Sequence, residues 1–310
     1  MFPVLTALFG LGLVLSYIFL FITQKRPAFS GTDNIHEEIT GGIKDIRLIC
    51  ASPAVTEIVF ALGLGDNVVG VSQFSTYPPE ARKKARIGGL FNPSRERIIA
   101  LNPDLVISQG EHAALSDFCR EKGIQLLSVP LDSLEDIKTA VRTLGKKLGA
   151  GEKAAELVQS MEKEIEAVKE ATRGKGRKKV FLTLSHLPGD LTGILTTGPG
   201  TFLDKLIQMA GGENIFADTA IAYPRISKES LLVRSPEVII EILAQGLTPR
   251  NKQLLLKDWK RLPTLPAVRE GKIHFLSETY LLIPGPRITQ TIKRLAGIIH
   301  PEVFNDHKYP

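Results

Sequence analysis

The chain has 310 residues, 43% of them hydrophobic and 23% charged, with a formal net charge of +6 and only two cysteines. That length accommodates two domains, each with its own core, and the composition excludes a disordered or fibrous protein. Cys50 ends an apolar run and Cys119 lies in a helical stretch, so they read as buried thiols rather than a disulfide framework, with a single bridge as the alternative.

Residues 1–24 are almost wholly apolar, and no charged side chain occurs from Met1 to Thr23. As a helix rising about 1.5 Å per residue, this stretch would cross a bilayer core of about 30 Å. It is therefore expected to be a transmembrane or signal segment. Ala28-Phe29-Ser30 resembles a small-residue cleavage site, but Lys25 and Arg26 intervene. No cysteine follows in the polar linker 25–44, so lipid attachment at a mature N-terminal cysteine is not expected.

The first lobe is expected over residues 45–148. Residues 46–51 read as a short strand, and Ser52-Pro53 as a helix start with proline at an early position. Val55, Ile58, Val59 and Leu62 share one face of that helix, which stops at Gly63 and Gly65. A strand over 67–72, a loop over 73–79, a helix over 116–123 and a strand over 124–129 follow. Strand–helix alternation of this kind predicts an α/β lobe with a mostly parallel sheet.

Between the second and third of these strands lies Ser94-Arg-Glu-Arg-Ile-Ile-Ala-Leu-Asn-Pro-Asp-Leu-Val-Ile107, and it occurs again, without a gap, as Ser227-Lys-Glu-Ser-Leu-Leu-Val-Arg-Ser-Pro-Glu-Val-Ile-Ile240. Each copy reads as a capped helix, a proline break and a buried strand. An internal repeat fixes architecture, and this one predicts two similar lobes with Glu96 and Glu229 at equivalent points. An acid in the first turn of a helix is favoured by the backbone dipole, with Ser94 and Ser227 as N-caps. The alternative role for two matched acids is a pair of exposed anionic knobs for a two-fold-symmetric partner.

Residues 133–148 and 152–171 are helical patterns. The second carries Ala155, Leu157, Val158, Met161, Ile165 and Val168 among Lys and Glu. A backbone helix over 149–173, about 30 Å long at that many residues, is expected to join the lobes. Arg173, Lys175, Arg177, Lys178 and Lys179 follow at its end without interleaved aromatics, which suits a solvated turn and no nucleic acid. The second lobe is expected over 174–303. It has a strand over 179–184, a Gly/Pro/Thr-rich loop, a helix over 201–210 and Gly211-Gly-Glu-Asn-Ile-Phe216, which echoes Gly65-Asp-Asn-Val-Val69. A strand over 272–276, a helix over 287–300 and a tail over 304–310 complete the chain.

No phosphate loop, G-x-S-x-G elbow or dinucleotide fingerprint occurs, and no histidine pair has metal-ligand spacing. A catalytic reading lacks a nucleophile, a base and a metal, so no enzyme activity, resident cofactor or metal site is expected. Ligands of open α/β sheets sit beyond the carboxyl ends of the strands and between domains. The loops there carry Phe74, Tyr77, Phe91, Tyr223 and Tyr280. Aromatics burying about 150–250 Å² each suit a large, flat, partly apolar ligand, although Tyr77 and Tyr223, each before a proline, could instead pack their own loops. His186, just after a strand, is either a sixth ligand-facing group or a satisfied loop histidine.

As a set, Ser52-Pro-Ala-Val-Thr-Glu57, Val69-Gly-Val-Ser72 with Tyr77-Pro-Pro79, Asn102-Pro-Asp-Leu-Val-Ile107, Gly211-Gly-Glu-Asn-Ile-Phe216, Ser235-Pro236, and Trp259 with Leu262-Pro263 and Gly271-Lys272 resemble the substrate-binding proteins of ABC importers for cobalamin and ferric siderophores. The resemblance covers about residues 45–302 and is nearest to the cobalamin-binding branch. It implies two Rossmann-like α/β lobes on one long backbone helix, closing modestly on the ligand. It also implies that Glu96 and Glu229 meet arginines on a permease dimer that works with ATPase subunits. The location implied is extracytoplasmic, in the periplasm or at the cell surface; the N-terminal segment, read from its apolar run as a membrane tether, departs from the family, many members of which are released or lipidated. Cobalamin is the implied ligand, with a ferric siderophore or haem as the alternative; haem would need an axial donor such as Tyr77, Tyr223 or His186. Cobalamin binders tend to line the cleft with tryptophan, whereas the single tryptophan here, Trp259, lies in a structural motif. Readings from other classes are an intracellular metal-cluster enzyme of two-lobe fold, which would need a Cys or His cradle, and a ligand-sensing anchor without transport.

Overall fold

The structure, a computed structural model, describes residues 46–304 apart from 188, 190, 244 and 245 and the side chain of Leu187. The apolar segment expected over 1–24, the linker over 25–44 and the tail beyond Phe304 lie outside the described residues. Among the described residues no helix is long and apolar enough to cross a membrane. Two compact units emerge: one holds the described residues up to Glu164 together with Ile283–Thr289, the other holds Ile165–Leu282 and the residues from Gln290 onward.

The N-terminal unit is built on five parallel strands, β1 Leu48–Cys50, β2 Val68–Val71, β3 Ala85–Arg86, β4 Leu105–Gln109 and β5 Gln125–Val129, in the order β3-β2-β1-β4-β5. The chain winds outward from β1 and then returns to the other side of it, which puts a topological switch point between β1 and β4. Helices α1 Pro53–Ala61, α2 Arg95–Ala100, α3 Ala113–Lys122 and α4 Leu134–Lys147 connect and follow the strands. Ser52 caps α1 by accepting from the Val55 amide at 3.1 Å, and Pro53 occupies its first turn, as the Ser-Pro pair predicts. Gly123, in the left-handed region at φ 66°, ends α3. The core joins Ile49, Ala51, Ile87, Ile98, Val106 and Phe118. Cys50 and Cys119 are both free and buried, and Cys119 belongs to this core.

Helix α5, Gly151–Thr172, is 22 residues long, and the boundary between the units falls inside it. Its buried stripe is Ala154, Val158, Met161, Ile165 and Val168. Ala155, expected inside, is exposed, and Ala154 takes the inward position one residue earlier. The spacing of four and three residues from Val158 onward selects 154 and not 155.

The C-terminal unit is organised on β6, Lys178–Leu187, with β7 Thr192–Thr196, β8 Gly212–Asn214, β9 Arg225–Ile226, β10 Val238–Ile242 and β11 Ile273–Leu276. The strand order is β11-β10-β6-β7-β9, and β8 also pairs with β6. Strands β6, β8, β10 and β11 run parallel, while β7 and β9 are antiparallel additions. The Gly/Pro/Thr-rich stretch expected to be a loop thus contains a strand. Thr196 donates to the Leu182 carbonyl at 2.6 Å and Thr183 to the Leu195 carbonyl at 2.9 Å, tying β7 to β6 from inside. Around the sheet lie α6 Phe202–Met209, α7 Lys228–Arg234, α8 Pro249–Trp259, α9 Pro266–Arg269, α10 Ile288–Ile299, which begins in the other unit, and α11 Pro301–Phe304. Phe181, Phe216, Ile239 and Trp259 centre the core, with Phe181 edge-on to both other rings at 5.8 and 5.9 Å.

The duplicated segment has one structure in both units. Ser94 and Ser227 cap α2 and α7, and Ile98 and Leu231 are the fully buried residues of those helices. Asn102 and Ser235 then take left-handed backbone at φ 41° and 51°, ending each helix ahead of its proline. The acid after the proline closes the unit. Asp104 accepts the Arg47 amide at 2.7 Å and Glu237 accepts the Lys179 amide at 2.9 Å, each at the start of the neighbouring strand. That pairing is the physical reason for the Asn-Pro-Asp and Ser-Pro-Glu signatures.

Candidate functional site

In the N-terminal unit the loops beyond the strand ends are held from beneath. Ser72, Ser75 and Thr56 form a buried hydroxyl chain with separations of 2.8 and 2.9 Å. Arg86 donates to the Ser72 and Ser75 carbonyls at 3.0 and 2.7 Å. Loop 73–79 is therefore a fixed platform carrying a half-buried Phe74 and an exposed Tyr77, whose peptide bond to Pro78 is cis. The Arg287 guanidinium lies 3.9 Å from the Tyr77 ring centroid. Glu57, on α1, holds that guanidinium through two contacts, 3.0 Å from Nε and 2.5 Å from Nη2. Burial raises the Glu57 carboxyl above its ordinary range, and the Arg287 contacts pull it part of the way back. Tyr77 is thus positioned by a buried ion pair and not merely by its own loop.

Gly88 makes the turn after β3 at φ 107°, where an added Cβ would lie 2.9 Å from the Asn92 carbonyl oxygen. The turn displays Phe91, which is exposed and meets His112 edge-on with centroids 6.1 Å apart. Both rings line a cavity of about 370 Å³ together with Leu90, Arg95, Ala114 and Phe118. His112 Nε2 is 2.9 Å from the Gln109 carbonyl oxygen. Burial lowers its pKa, offset in part by that carbonyl, which keeps the imidazole neutral at neutral pH. His112 is a residue of this site that the sequence alone does not single out. The missing signal was its contact with Phe91, which comes 21 positions earlier.

The C-terminal unit corrects two expectations. His186 is not a loop residue. It lies on β6 with its side chain fully buried, 3.0 Å from Glu241 and 3.5 Å from Asp258, and its ring is edge-on to Trp259 at 5.5 Å. Neither ring nitrogen is aligned for a directed hydrogen bond, so the contacts are close ionic ones. Burial alone would lower the His186 pKa; the two carboxylates outweigh it and raise it. Glu241 also accepts from Trp259 Nε1 at 2.9 Å. Buried in this way, His186 cannot face a ligand. Tyr223 is buried too, at 8% exposure, because the backbone on both sides of it is zipped to β7 through Gly198–Ala222 and Thr196–Pro224 hydrogen bonds. The exposed apolar group of that loop is Ile221, at 59%. Tyr280 is half-buried on the single turn Thr279–Leu282.

Glu96 and Glu229 stand at the second position of α2 and α7, both exposed. Each is held below its ordinary pKa, first by its own backbone amide and then by the capping serine, with Ser94 donating to Glu96 at 2.8 Å. They are fully charged at neutral pH and fixed at the helix starts.

Residues 48–280 match the family model described as periplasmic binding protein. The chain belongs to this family. Across 255 residues it is 33% identical to a vitamin B12-binding protein of Salmonella paratyphi A, covering 82% of this chain and 90% of that one. An ABC transporter substrate-binding lipoprotein of Bacillus subtilis is 27% identical over 296 residues, 91% of this chain and 90% of its own length. Among solved structures, the periplasmic vitamin B12-binding protein BtuF of Vibrio cholerae superposes with a TM-score of 0.69 at 25% identity, over 84% of this chain and 98% of its own. The periplasmic heme-binding protein RhuT of Roseiflexus sp. RS-1 does so with a TM-score of 0.70 at 28% identity, over 84% and 99%. The two α/β units seen here are those of this class, and its members bind substrates.

Proposed function

We propose that the chain is the extracytoplasmic solute-binding protein of an ABC importer, that its ligand is a corrinoid, and that it hands this ligand to a permease dimer driven by ATPase subunits. The observation that carries the ligand class is the pair of exposed aromatics at the switch-point end of the N-terminal sheet, Tyr77 on its arginine support and Phe91 beside His112. A rigid aromatic surface next to a cavity suits a broad, flat ligand. A chain that is 33% identical to a vitamin B12-binding protein along 90% of the latter favours a corrinoid among such ligands. Phe74, Tyr77, Phe91 and Tyr280 are the contacts assigned to it. Glu96 and Glu229 are assigned to the permease, and the apolar N-terminal segment to export and membrane tethering. Binding and release require no bond-making by the protein.

Haem or a ferric siderophore is the second reading. It is favoured by a haem-binding neighbour of similar TM-score and identity, and by the neutral His112 and exposed Tyr77 as axial donors. Calorimetric titration with cyanocobalamin, hemin and a ferric hydroxamate separates the readings. Submicromolar binding of cyanocobalamin alone is the expected result, tight binding of hemin alone transfers the assignment, and no heat with any of the three removes the ligand claim. Replacing Glu96 and Glu229 together by lysine is expected to stop uptake and leave the calorimetric affinity unchanged.

A further inference from the structure

The two matched helices repeat more than their acids. On α2, Ile99 follows Glu96 by three positions and Ala100 by four; on α7, Leu232 and Val233 follow Glu229 at the same intervals. Residues three and four apart share one helix face. All of these side chains are exposed: Ile99 at 50%, Leu232 at 42% and Val233 at 85%. In each helix the inward position, Ile98 or Leu231, is fully buried and anchors the element. The exposed aliphatics are therefore not displaced core residues. They are an outward feature produced twice, beside the same acid, on the same capped helix.

We propose that each helix presents a composite docking knob, a fixed carboxylate with an aliphatic shoulder one turn further on. The receptor it fits carries, at two equivalent positions, a basic group next to an apolar surface. This inference rests on the permease reading above and adds the chemistry of its contact. A lone acid with no apolar neighbour would be screened by salt within about 8–10 Å and would orient more than it holds. The aliphatic shoulder gives the contact a part that salt does not weaken. Two or three aliphatic side chains fall far short of the roughly 1,600 Å² of a standard interface, so self-association through these knobs is not expected. Each acid is flanked by bases, Arg95 and Arg97 on α2 and Lys228 on α7, so the net charge of the helices does not choose the occupant. The repetition of one capped acid with one aliphatic shoulder in both units does, and it fits a protein receptor with two equivalent basic sites rather than a lipid surface.

The test uses full-length protein, both free and mixed with cyanocobalamin, and the cognate permease–ATPase complex held in nanodiscs. Docking affinity is measured over a range of salt for three forms: wild type, Glu96→Gln with Glu229→Gln, and Ile99→Ser with Leu232→Ser and Val233→Ser. Both variant sets are expected to weaken docking at least tenfold. The acid set should flatten the salt dependence, whereas the apolar set should preserve its slope. Thermal melts of all three forms should coincide because the altered side chains are exposed, and the milder Ile99→Ala with Leu232→Ala and Val233→Ala provides a second apolar set should the serines disturb the helices. If the acid set weakens docking but both apolar sets stay within twofold, the shoulder is refuted and the permease reading stands. If neither set matters, both are refuted. Sedimentation showing a wild-type dimer that the apolar set dissolves would make a second copy the occupant and overturn the proposal.

Discussion

Arg287→Met should destabilise the N-terminal unit by about 3–5 kcal/mol, the cost of stripping one partner from a buried ion pair. The upper end applies because the geometry is tight. The Glu57 side chain is 2% exposed and that of Arg287 12%. Both carboxylate oxygens are engaged, and Gly285 packs so closely that a Cβ there would lie 3.2 Å from Glu57 Oε2. The loss should depend on pH in a stated direction. Burial already raises the Glu57 pKa, and the Arg287 contacts are what lower it. Without them the folded pKa climbs further above the unfolded carboxyl value of about 4.3. The penalty is then small below that value, where both states are protonated, and grows as pH rises through the folded pKa. Urea unfolding followed by far-UV circular dichroism, with Trp259 fluorescence reporting the other unit separately, should show a much larger loss at pH 8 than at pH 4. Glu57→Gln added to Arg287→Met should remove the pH dependence. A loss below about 1 kcal/mol, or one equal at both pH values, would mean that the pair contributes no more than a surface contact. Affinity for the ligand should fall in parallel, because Tyr77 loses its cationic support.

Further outcomes follow from other buried groups. His186 has a raised pKa in the folded protein, so the stability it contributes is complete below about pH 6.5 and is lost as pH rises through the folded value; His186→Gln should flatten that decline in Trp259-monitored unfolding. Ser52→Ala removes the cap on the Val55 amide and should cost about 1 kcal/mol in urea unfolding without changing ligand affinity. Cys119, whose thiol is pushed up to about 11, and Cys50, driven higher by burial, should resist an aromatic disulfide reagent until denaturant is added. Gly88→Ala forces a Cβ against the Asn92 carbonyl oxygen at a positive φ and should lower the melting temperature while displacing Phe91, seen as weaker ligand binding.

The repeat was legible because it is written in residues whose backbone roles are local. Serine caps, a left-handed Asn or Ser before proline, and a buried aliphatic strand read the same way in both copies. The first sheet was legible for a similar reason, since alternation of short apolar runs with capped helices leaves few arrangements. The hairpin of β6 and β7 was hidden because its threonines bond inward across the pair, and threonine with glycine reads equally well as loop. The position of His186 was hidden because β6 extends past the apolar run Val180–Leu184 that marks a strand in sequence. Ions buried at 186, 241 and 258 look polar one at a time and become interior only as a set. On the candidate site, Tyr77 and Phe91 stand exposed on the strand-end loops of the N-terminal unit. Tyr223 does not, since the same Tyr-Pro pairing in the C-terminal unit is drawn against a strand. The Arg287 support beneath Tyr77 comes from 210 positions away in sequence, beyond the reach of any local pattern.

Ile283–Thr289 belongs with the described residues up to Glu164 rather than with its sequence neighbours. In the order of synthesis, the N-terminal unit is therefore left unfinished until nearly the whole chain has been made. A nascent chain released at residue 164 would expose the Glu57 carboxylate without its guanidinium, and any fragment cut there should be correspondingly weak. The last-made segment thus latches the first-made unit, and complete compaction of that unit waits for the end of synthesis.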